Sequence, residues 1–398
     1  MNRAALTEAI LQERIVNVHS HHRPDAFHAA LTLQTLLENS YVGWCTPSVP
    51  DGTRREEVDA WLRAVRTRGY FVWLQRALQT LYALDAPLSF DSWPAYDAAI
   101  RSAHADPDWH LRAMGETCGY ETVFLDAFWN PGDDNGHPEL FRPAFRVNSF
   151  FVAYDPAVSD HNGNNAQRQL GVHASDLEEL IALLDGELAR RHALGAPVIK
   201  CALAYDRSLH FSAPNWACAR RAMQPDPAPE EISAFQDVLF HHICEKSAEL
   251  RMPLQIHTGL GLMHDSRALA LRDAIAAHPE TTFILLHGSY PWTADVAGLT
   301  HSYSNVWADL CWLPLISAAA AERALSELMD VCNADRMVWG CDTWTCEESY
   351  GAKLAMTHVL GRVLSARVEA NLMSEADALP FARMLLRENA KALLNPPS

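Results

Sequence analysis

Short, continuous apolar runs alternate along the chain with longer stretches in which apolar residues recur every three or four positions. Continuous apolar runs are typical of parallel strands covered on both faces, and the recurring pattern is typical of amphipathic helices. The pattern predicts strands that begin near residues 14, 121, 145, 196, 252, 281, 304 and 336. It predicts helices over residues 176–194, 230–250, 265–278 and 318–332, between or after these strands.

The repeated order of strand and helix indicates an α/β protein built from parallel βα units. Eight such units close most economically into a (β/α)8 TIM barrel. A doubly wound open sheet is the alternative, but no glycine-rich phosphate loop follows any predicted strand. Because no linker divides the pattern, we predict a single barrel domain over residues 1–398.

One region departs from this order. Residues 25–118 follow the first strand and are predicted to be mostly helical, with helices over 26–37, 56–84 and 92–105. We expect a long helical insertion that forms a lid or a wall over the functional site. Its tryptophans are expected to pack in a core, with Trp44, and also Trp292 and Trp344 later in the chain, as alternative pocket-lining residues.

Composition narrows the possible partners. The formal charge is −17, the hydrophobic fraction is 49%, and no basic cluster is present, so nucleic acid and anionic membrane surfaces are not expected partners. No apolar run is long enough to span a membrane, and the first residues lack a signal-peptide core. The nine scattered cysteines contain no C-x-x-C pair, which predicts reduced thiols and a cytoplasmic location.

Chemically active side chains follow several of the predicted strands. His19 and His21 are two residues apart at the end of the first strand, so both imidazoles are expected on the same face. Four later strands end in a further ligand or acid/base residue, namely Lys200, His257, His287 and Asp342. In a barrel the carboxyl ends of the strands meet at one mouth, so the sequence predicts a divalent metal site there.

The motifs around these residues resemble those of the amidohydrolase superfamily. They read NVHSHH (17–22), VIKCALAYDRSL (198–209), PLQIHTGLG (253–261), FILLHGSYPW (283–292), WGCDTW (339–344) and LLRENAKALL (385–394). The chain is most similar to the amidohydrolase-2 branch, which includes uronate isomerase and hydrolase domains fused to glutamine-synthetase-like proteins. Asn17 stands where many relatives carry Asp, and Cys341 stands where Ser or Thr is common.

The resemblance implies a ligand set. It implies that His19, His21 and Asp342 bind one metal ion, that His257 and His287 bind a second, and that Lys200 bridges them as a carbamate. Without the carbamate the site would be mononuclear. Zinc is the first expectation, with iron and manganese as alternatives. Asp342, Lys200 and His287 are the expected catalytic residues, although His287 could instead donate a hydrogen bond to the substrate, and a ligand role for His22 stays open.

The same resemblance suggests how the substrate is bound. Tyr205 and Arg207 form a Y-R pair just after Lys200, and Arg207 suits a substrate carboxylate because guanidinium binds carboxylates in a bidentate manner. Arg146, at the third strand, is the second candidate for this role. We therefore expect a small-molecule substrate that carries a carboxylate. Whether the chain forms a homo-oligomer stays open.

The expected reaction is hydrolysis of an amide, lactone or related C–N or C–O bond through metal-bound hydroxide, with Asp342 moving the proton. A uronate-isomerase-like reaction is the second hypothesis, disfavoured because the W-R-D strand of those enzymes is absent and Lys200 is present. Decarboxylation and oxygen chemistry at a dinuclear iron site follow. A non-catalytic binding protein is the last alternative.

Overall fold

Parallel strands form the centre of the fold, which a computed structural model describes for residues 2–46 and 48–394. The strands in these residues are β1 Ile15–Ser20, β2 Tyr120–Leu125, β3 Phe141–Pro143, β4 Phe145–Arg146, β5 Ile199–Cys201, β6 Leu254–His257, β7 Phe283–Leu286, β8 Val306–Asp309 and β9 Met337–Val338. Every paired strand is parallel to its neighbour. The predicted order of parallel strands is confirmed.

The strands close into the predicted α/β TIM barrel. β3 and β4 are separated only by Ala144 and together occupy the third position, since the Ala144 N–H donates to Leu125 of β2 while Phe145 of β4 pairs with β5. At the seam the Asp342 N–H donates to the His19 carbonyl oxygen at 2.9 Å. A Cβ at Gly340 would lie 2.7 Å from the His19 backbone nitrogen, so the seam needs glycine there.

Two predicted strands are shorter than the apolar pattern indicates. The strand predicted from residue 145 ends at Arg146, because the Asn148 side chain accepts from the Ala202 N–H and Asn148–Phe150 turns into a 3-10 helix. The last strand covers only Met337–Val338, since the backbone leaves the extended conformation before Asp342, where φ is +56°. β3 was not predicted, because a run of three residues that ends in proline carries little strand signal.

Helices follow the strands and cover the barrel. The α-helices of the described residues are α1 Arg3–Leu11, α2 Asp25–Ala29, α3 Leu33–Glu38, α4 Arg55–Val65, α5 Gly69–Leu81, α6 Trp93–His104, α7 Trp109–Arg112, α8 Ala166–Leu170, α9 Leu177–Ala193, α10 Trp216–Ala219, α11 Pro229–Leu250, α12 Arg272–Ala277, α13 Thr293–Ser302, α14 Leu313–Ile316, α15 Ala318–Val331, α16 Cys346–Glu369, α17 Glu375–Arg383 and α18 Asn389–Leu394. None of them is long and apolar enough to cross a membrane.

Single helical turns connect several of these elements. The 3-10 turns are Gly43–Cys45, Asn148–Phe150, Leu203–Tyr205, Arg220–Met223, Ala268–Leu271, His287–Ser289 and Ala334–Arg336, and the π turns are Ala113–Thr117 and Met384–Glu388. The helix predicted over 265–278 is therefore shorter, with a 3-10 turn before α12. At the other end of the barrel the Asn389 side chain donates to the Ala334 and Met337 carbonyl oxygens, which holds α18 against β9.

Helices α2 to α7 make up the segment between β1 and β2. The helix predicted over 26–37 divides into α2 and α3 because Thr32 caps a new helix, and the one predicted over 56–84 divides before Gly69. The segment has a hydrophobic cluster of its own, in which Trp61 and Trp93 are buried as expected. Trp44 differs, with 61% of its surface exposed.

Candidate active site

The residues predicted from the strand ends converge at the carboxyl end of the barrel. His19 lies in β1 and His21 directly follows it, and their Nε2 atoms lie 3.3 Å and 3.1 Å from Oδ1 of Asp342, which follows β9. Lys200 of β5 places its Nζ 3.0 Å from the His19 Nε2. These side chains come from opposite ends of the chain and meet because the strand ends meet.

His257 of β6 and His287 after β7 form the other side of this group. Their ring centroids are 4.3 Å apart, and the His287 Nδ1 lies 3.8 Å from Oδ2 of Asp342. One ligand atom each from His287, Cys311 and Asp342 lies within 4.8 Å of the others, as does one each from His19, His21 and Asp342. Asp342 is therefore shared between the two sides.

Backbone carbonyl groups fix the orientation of two of the imidazoles. The His21 Nδ1 lies 2.7 Å from the Asp126 carbonyl oxygen, and the His257 Nε2 lies 3.1 Å from the Gly259 carbonyl oxygen. Because a carbonyl oxygen only accepts, each of these nitrogens carries the proton, and the other nitrogen of each neutral ring carries the lone pair. The rings are thus prepared to donate an electron pair from a defined nitrogen.

Burial and mutual charge set the protonation of the group. Burial lowers the pKa of His19 to about 4, with a further contribution from Lys200, and burial also lowers the pKa values of His257 and His287 well below their usual range. Burial would raise the pKa of Asp342, but His19 and His21 outweigh it and hold that pKa well below its usual range. At neutral pH these lowered pKa values favour neutral imidazoles at His19, His257 and His287 and an ionised carboxylate at Asp342.

A small cavity of about 180 Å³ opens onto this group. It is lined by five of the predicted ligand residues, which are His19, His21, Lys200, His257 and Asp342. Its other walls include aromatic side chains, which are Tyr41, Trp44, Phe128, Tyr205 and Trp344. Tyr41 and Trp44 come from the segment between β1 and β2, so that segment forms part of the cavity wall.

The two arginines predicted to bind substrate lie in different places. Arg146 lines the cavity, is 5% exposed, and has its Nη1 3.5 Å from Oδ2 of Asp126. The Arg207 guanidinium is not among the cavity-lining groups of the described residues. It donates instead to the Asp237 carboxylate, the Gln236 side chain and nearby carbonyl oxygens. Arg146 is therefore the better placed of the two to meet a ligand in the cavity.

The other residues predicted to bind substrate, line the pocket or bind metal also differ in whether they line the cavity. Tyr205 lines the cavity with its ring 4.4 Å from the His257 ring, and Trp44 and Trp344 line it too. Trp292 is not a lining residue among those described. His22 points away from the cavity and packs with histidines of the segment between β1 and β2.

Two buried carboxylates at strand ends were not singled out from the sequence. Asp126 follows β2 and contacts His21 and Arg146, and Asp309 ends β8 and accepts the Cys311 N–H with its Oδ1. Burial raises the pKa of Asp309 to about 8. Both directly follow an apolar run, so the strand-end rule that found Asp342 could have found them. Tyr41 and His161 lie in turns and carry no comparable signal.

Comparison with known proteins identifies the family. The amidohydrolase family of the second type, described as Amidohydrolase, matches residues 148–395, more than half of the chain. The chain belongs to this family. As an amidohydrolase it is a member of a family of enzymes that require a divalent metal ion, and the predicted superfamily is confirmed. The match begins at Asn148, so the family likeness covers the strands that carry Lys200, His257, His287 and Asp342.

A curated relative matches a smaller part of this chain. Protein fluG of Emericella nidulans is 37% identical over 102 residues, which is 24% of this amidohydrolase and 12% of the fungal protein. The match thus spans about an eighth of that protein's length. It says nothing about the remainder of either chain.

Solved structures show the same fold over nearly the whole chain. A uronate isomerase from Thermotoga maritima aligns over 99% of this chain and 98% of its own, with a TM-score of 0.77 and 16% identity. A glucuronate isomerase from Caulobacter crescentus aligns over 100% and 94%, with a TM-score of 0.74 and 15% identity. A protein assigned as a metal-dependent hydrolase from Lactobacillus casei aligns over 98% and 97%, with a TM-score of 0.73 and 16% identity. At these identities the likeness establishes the barrel.

Proposed function

We propose that this amidohydrolase hydrolyses an amide, lactone or related C–N or C–O bond in a small, carboxylate-bearing molecule. In this proposal His19, His21 and Asp342 bind one divalent metal ion, with His257, His287 and Lys200 available for a second. Zinc is the first candidate for the metal, because histidine nitrogens and a carboxylate suit it well.

One observation carries the metal-site proposal. The His21 Nδ1 carries the ring proton, because it donates to the Asp126 carbonyl oxygen, so its Nε2 presents a lone pair. That lone pair lies 3.1 Å from Oδ1 of Asp342, an ionised carboxylate oxygen. Two electron-rich atoms held this close inside a protein repel each other unless a cation lies between them. The chemistry of the group therefore fits a metal ion.

The residues around the ligands supply the remaining chemistry. A divalent ion bound here would polarise a substrate carbonyl group and lower the pKa of a bound water. Asp342 is buried, ionised and adjacent to both histidines, so it can accept the proton of the attacking water and pass it to the leaving nitrogen or oxygen. The cavity is small and enclosed by aromatic rings, which limits bulk water near the reacting bond.

Lys200 is the residue proposed to bridge two metal ions. Its Nζ is buried beside the His19 Nε2, and burial lowers its pKa, which increases the fraction of free amine. A free amine can react with carbon dioxide to give a carbamate with two anionic oxygens. A neutral or cationic lysine lacks these oxygens, so a dinuclear site depends on that modification.

Arg146 is the residue proposed to bind the substrate carboxylate. Its guanidinium lines the cavity, and its buried Nε has no hydrogen-bond partner among the described residues. A bidentate carboxylate would supply that partner. In the same proposal the segment between β1 and β2 is a wall of the site, since Tyr41 and Trp44 face the substrate.

The test combines metal content with product analysis. The purified protein is analysed for zinc, iron and manganese, and is then screened against amides, lactones and uronates with and without a chelator. Reactions run in ¹⁸O-labelled water should place one heavy oxygen in the product of hydrolysis. Turnover that survives complete metal removal would contradict the proposal.

The isomerase remains the second candidate because two of the most similar folds belong to uronate and glucuronate isomerases. An isomerase would convert a uronate to a product of the same mass. Conversion of uronates without change of mass, together with no hydrolysis of any amide or lactone, would replace the hydrolase proposal with this one.

A further inference from the structure

A second group of histidines lies outside the cavity, where β1 meets the segment between β1 and β2. We define the second histidine cluster as His22, which follows β1, His28 of α2 and His110 of α7. Their side chains are buried, with residue exposures of 0%, 1% and 1%. One ring nitrogen from each lies within 4.8 Å of the other two. None of the three lines the cavity described above.

The ring nitrogens can be assigned from their neighbours. The His28 Nε2 lies 3.1 Å from the Arg23 carbonyl oxygen, so it carries the proton and the Nδ1 carries the lone pair. The His110 Nε2 lies 3.2 Å from the Asp25 carboxylate without hydrogen-bond geometry, and the negative charge of that carboxylate favours the proton on Nε2 and the lone pair on Nδ1. That Nδ1 lies 3.1 Å from the Nε2 of His22.

This assignment leaves two buried lone pairs without a donor. The Nδ1 atoms of His22 and His28 have no hydrogen-bond partner among the described residues. Buried polar atoms without a partner are uncommon and costly. His28 also matches the surroundings of histidine ligands, in which the second ring nitrogen donates to a carbonyl or carboxylate group. Asp25 is itself held in place by the Nε2 of His137 at 2.9 Å.

We propose that the second histidine cluster is a second metal site, which binds a divalent transition-metal ion such as Zn²⁺ through His22, His28 and His110. Three imidazoles select zinc and its neighbours rather than magnesium or calcium. In a tetrahedral zinc site ligand nitrogens are about 3.4 Å apart, so binding draws the nitrogens together by rotation of the stacked rings. The His28 and His110 rings now stack at 4.0 Å with an angle of 9°.

A metal ion bound at this site would act on the stability of the fold rather than on catalysis. His28 and His110 lie in helices of the segment between β1 and β2, whereas His22 lies two residues after the end of β1 and directly follows His21. A bound ion would join that segment to the barrel close to the cavity wall formed by Tyr41 and Trp44. Metal binding at this place would therefore contribute to folding stability rather than to the reaction.

The test measures how many zinc ions the purified protein binds per chain. Metal is removed with a chelator, Zn²⁺ is added in excess, unbound ion is removed by desalting, and zinc per chain is measured. The variant His28→Phe keeps an aromatic ring in the stack but removes the ligand nitrogen. We expect it to hold about one equivalent of zinc less than the wild type. Equal zinc in the two proteins would overturn the proposal.

A control is available in another, partly buried imidazole pair. The His278 Nε2 lies 2.7 Å from the His241 Nδ1, so His278→Phe also removes one ring of a histidine pair. It should retain the zinc content of the wild type, and a loss as large as that of His28→Phe would overturn the proposal. His19→Ala tests the active site separately. If it keeps full zinc while His28→Phe does not, the proposed function fails and the second site stands.

If His28→Phe does not fold, a crystal structure of the zinc-loaded wild type tests whether the second histidine cluster binds zinc. Anomalous scattering at the zinc edge should give a peak among the three rings of the second histidine cluster. The absence of that peak at full occupancy of the active-site metal would overturn the proposal.

Discussion

Two groups of buried histidines flank the end of β1, and they differ in what surrounds them. His19 and His21 meet the carboxylate of Asp342 and open onto a cavity. The next histidine, His22, does not line that cavity and packs against the imidazoles of His28 and His110 and the ring of Phe141. A carboxylate, the Lys200 amine and room for a small molecule make the first group suitable for catalysis. The second can hold an ion but offers no place for a substrate.

The end of β1 contributes histidines to both groups. The backbone turns after His21, so that His22 leaves the mouth of the barrel and joins α2 and α7. The active-site group depends on closure of the barrel, whereas the second histidine cluster depends on how the inserted segment packs. The predictions below separate these two dependences, beginning with the largest expected effect.

Replacement of Asp342 should have the largest effect on activity. Asp342→Asn keeps the size of the side chain but cannot take up a proton, so kcat should fall by about 10²- to 10⁴-fold. Asp295→Asn is the control, because Asp295 is similarly buried but pairs with Arg267 outside the cavity. Its kcat should stay close to that of the wild type. Steady-state kinetics with the metal content measured in parallel checks this, and full activity of Asp342→Asn would remove its proposed role.

The two predicted substrate-binding arginines give the next contrast. Arg146→Gln should lower kcat/KM by about 10- to 100-fold for a carboxylate substrate, since a hydrogen bond to a charged group contributes about 1.5–3 kcal/mol. Arg207→Gln should leave KM unchanged and lower stability, because Arg207 pairs with Asp237. Comparison of an acid substrate with its methyl ester in the Arg146 variant provides a second check. A KM effect confined to Arg207→Gln would reverse the assignment.

Sequence reasoning found the barrel and most of the active-site group for one physical reason. The strand ends of a barrel converge, so His19, His257 and Asp342 could be placed together without knowledge of any contact. Arg146 was predicted from its position at the third strand, whereas Tyr205 was predicted from the Y-R pair of the family resemblance. It could not decide between Arg146 and Arg207, because the direction of a long side chain after a strand depends on partners such as Asp237, which lies in α11.

The position of the inserted segment on the barrel could not be predicted from the sequence. Its helices were predicted from periodicity, but periodicity does not say which barrel element a helix touches. The packing of His28 and His110 on His22 is a tertiary contact that no local pattern encodes. The placement of Tyr41 and Trp44 at the cavity likewise depends on how the whole segment lies on the barrel.

A buried hydrogen bond between His104 and the Glu347 carboxylate joins the segment to α16 and should make stability sensitive to acid. Burial would raise the pKa of Glu347, but hydrogen bonds with His104 and Tyr82 outweigh it and bring the pKa to about 2, below its ordinary value of 4.5. The stabilisation is fully present above pH 4.5 and is lost as the pH falls towards 2. Between pH 5 and pH 3 the wild type should lose about 2 kcal/mol more than Glu347→Gln.

Urea unfolding at a series of pH values measures this difference. Glu347→Gln should be less stable at pH 7, because His104 loses its ionised partner, but its stability should depend less steeply on pH in the acid range. The exposed pair of Asp273 and Arg272 gives a control, since Asp273→Asn should leave the acid dependence almost unchanged. Parallel acid profiles for the wild type and Glu347→Gln would show that the pKa of Glu347 is the same in the folded and the unfolded chain.

The smallest expected effect concerns the exposed tryptophan of the inserted segment. Trp44 lines the cavity while 61% of its surface is exposed, so Trp44→Ala removes a substrate contact but little buried area. KM should rise by a few-fold to about tenfold, in line with about 1 kcal/mol for a single aromatic contact, and the melting temperature should change little. Trp61→Ala should do the reverse, because Trp61 is buried in the hydrophobic cluster of the segment. If Trp44→Ala instead lowers the melting temperature and leaves KM unchanged, Trp44 supports the fold of the segment and does not form a wall of the site.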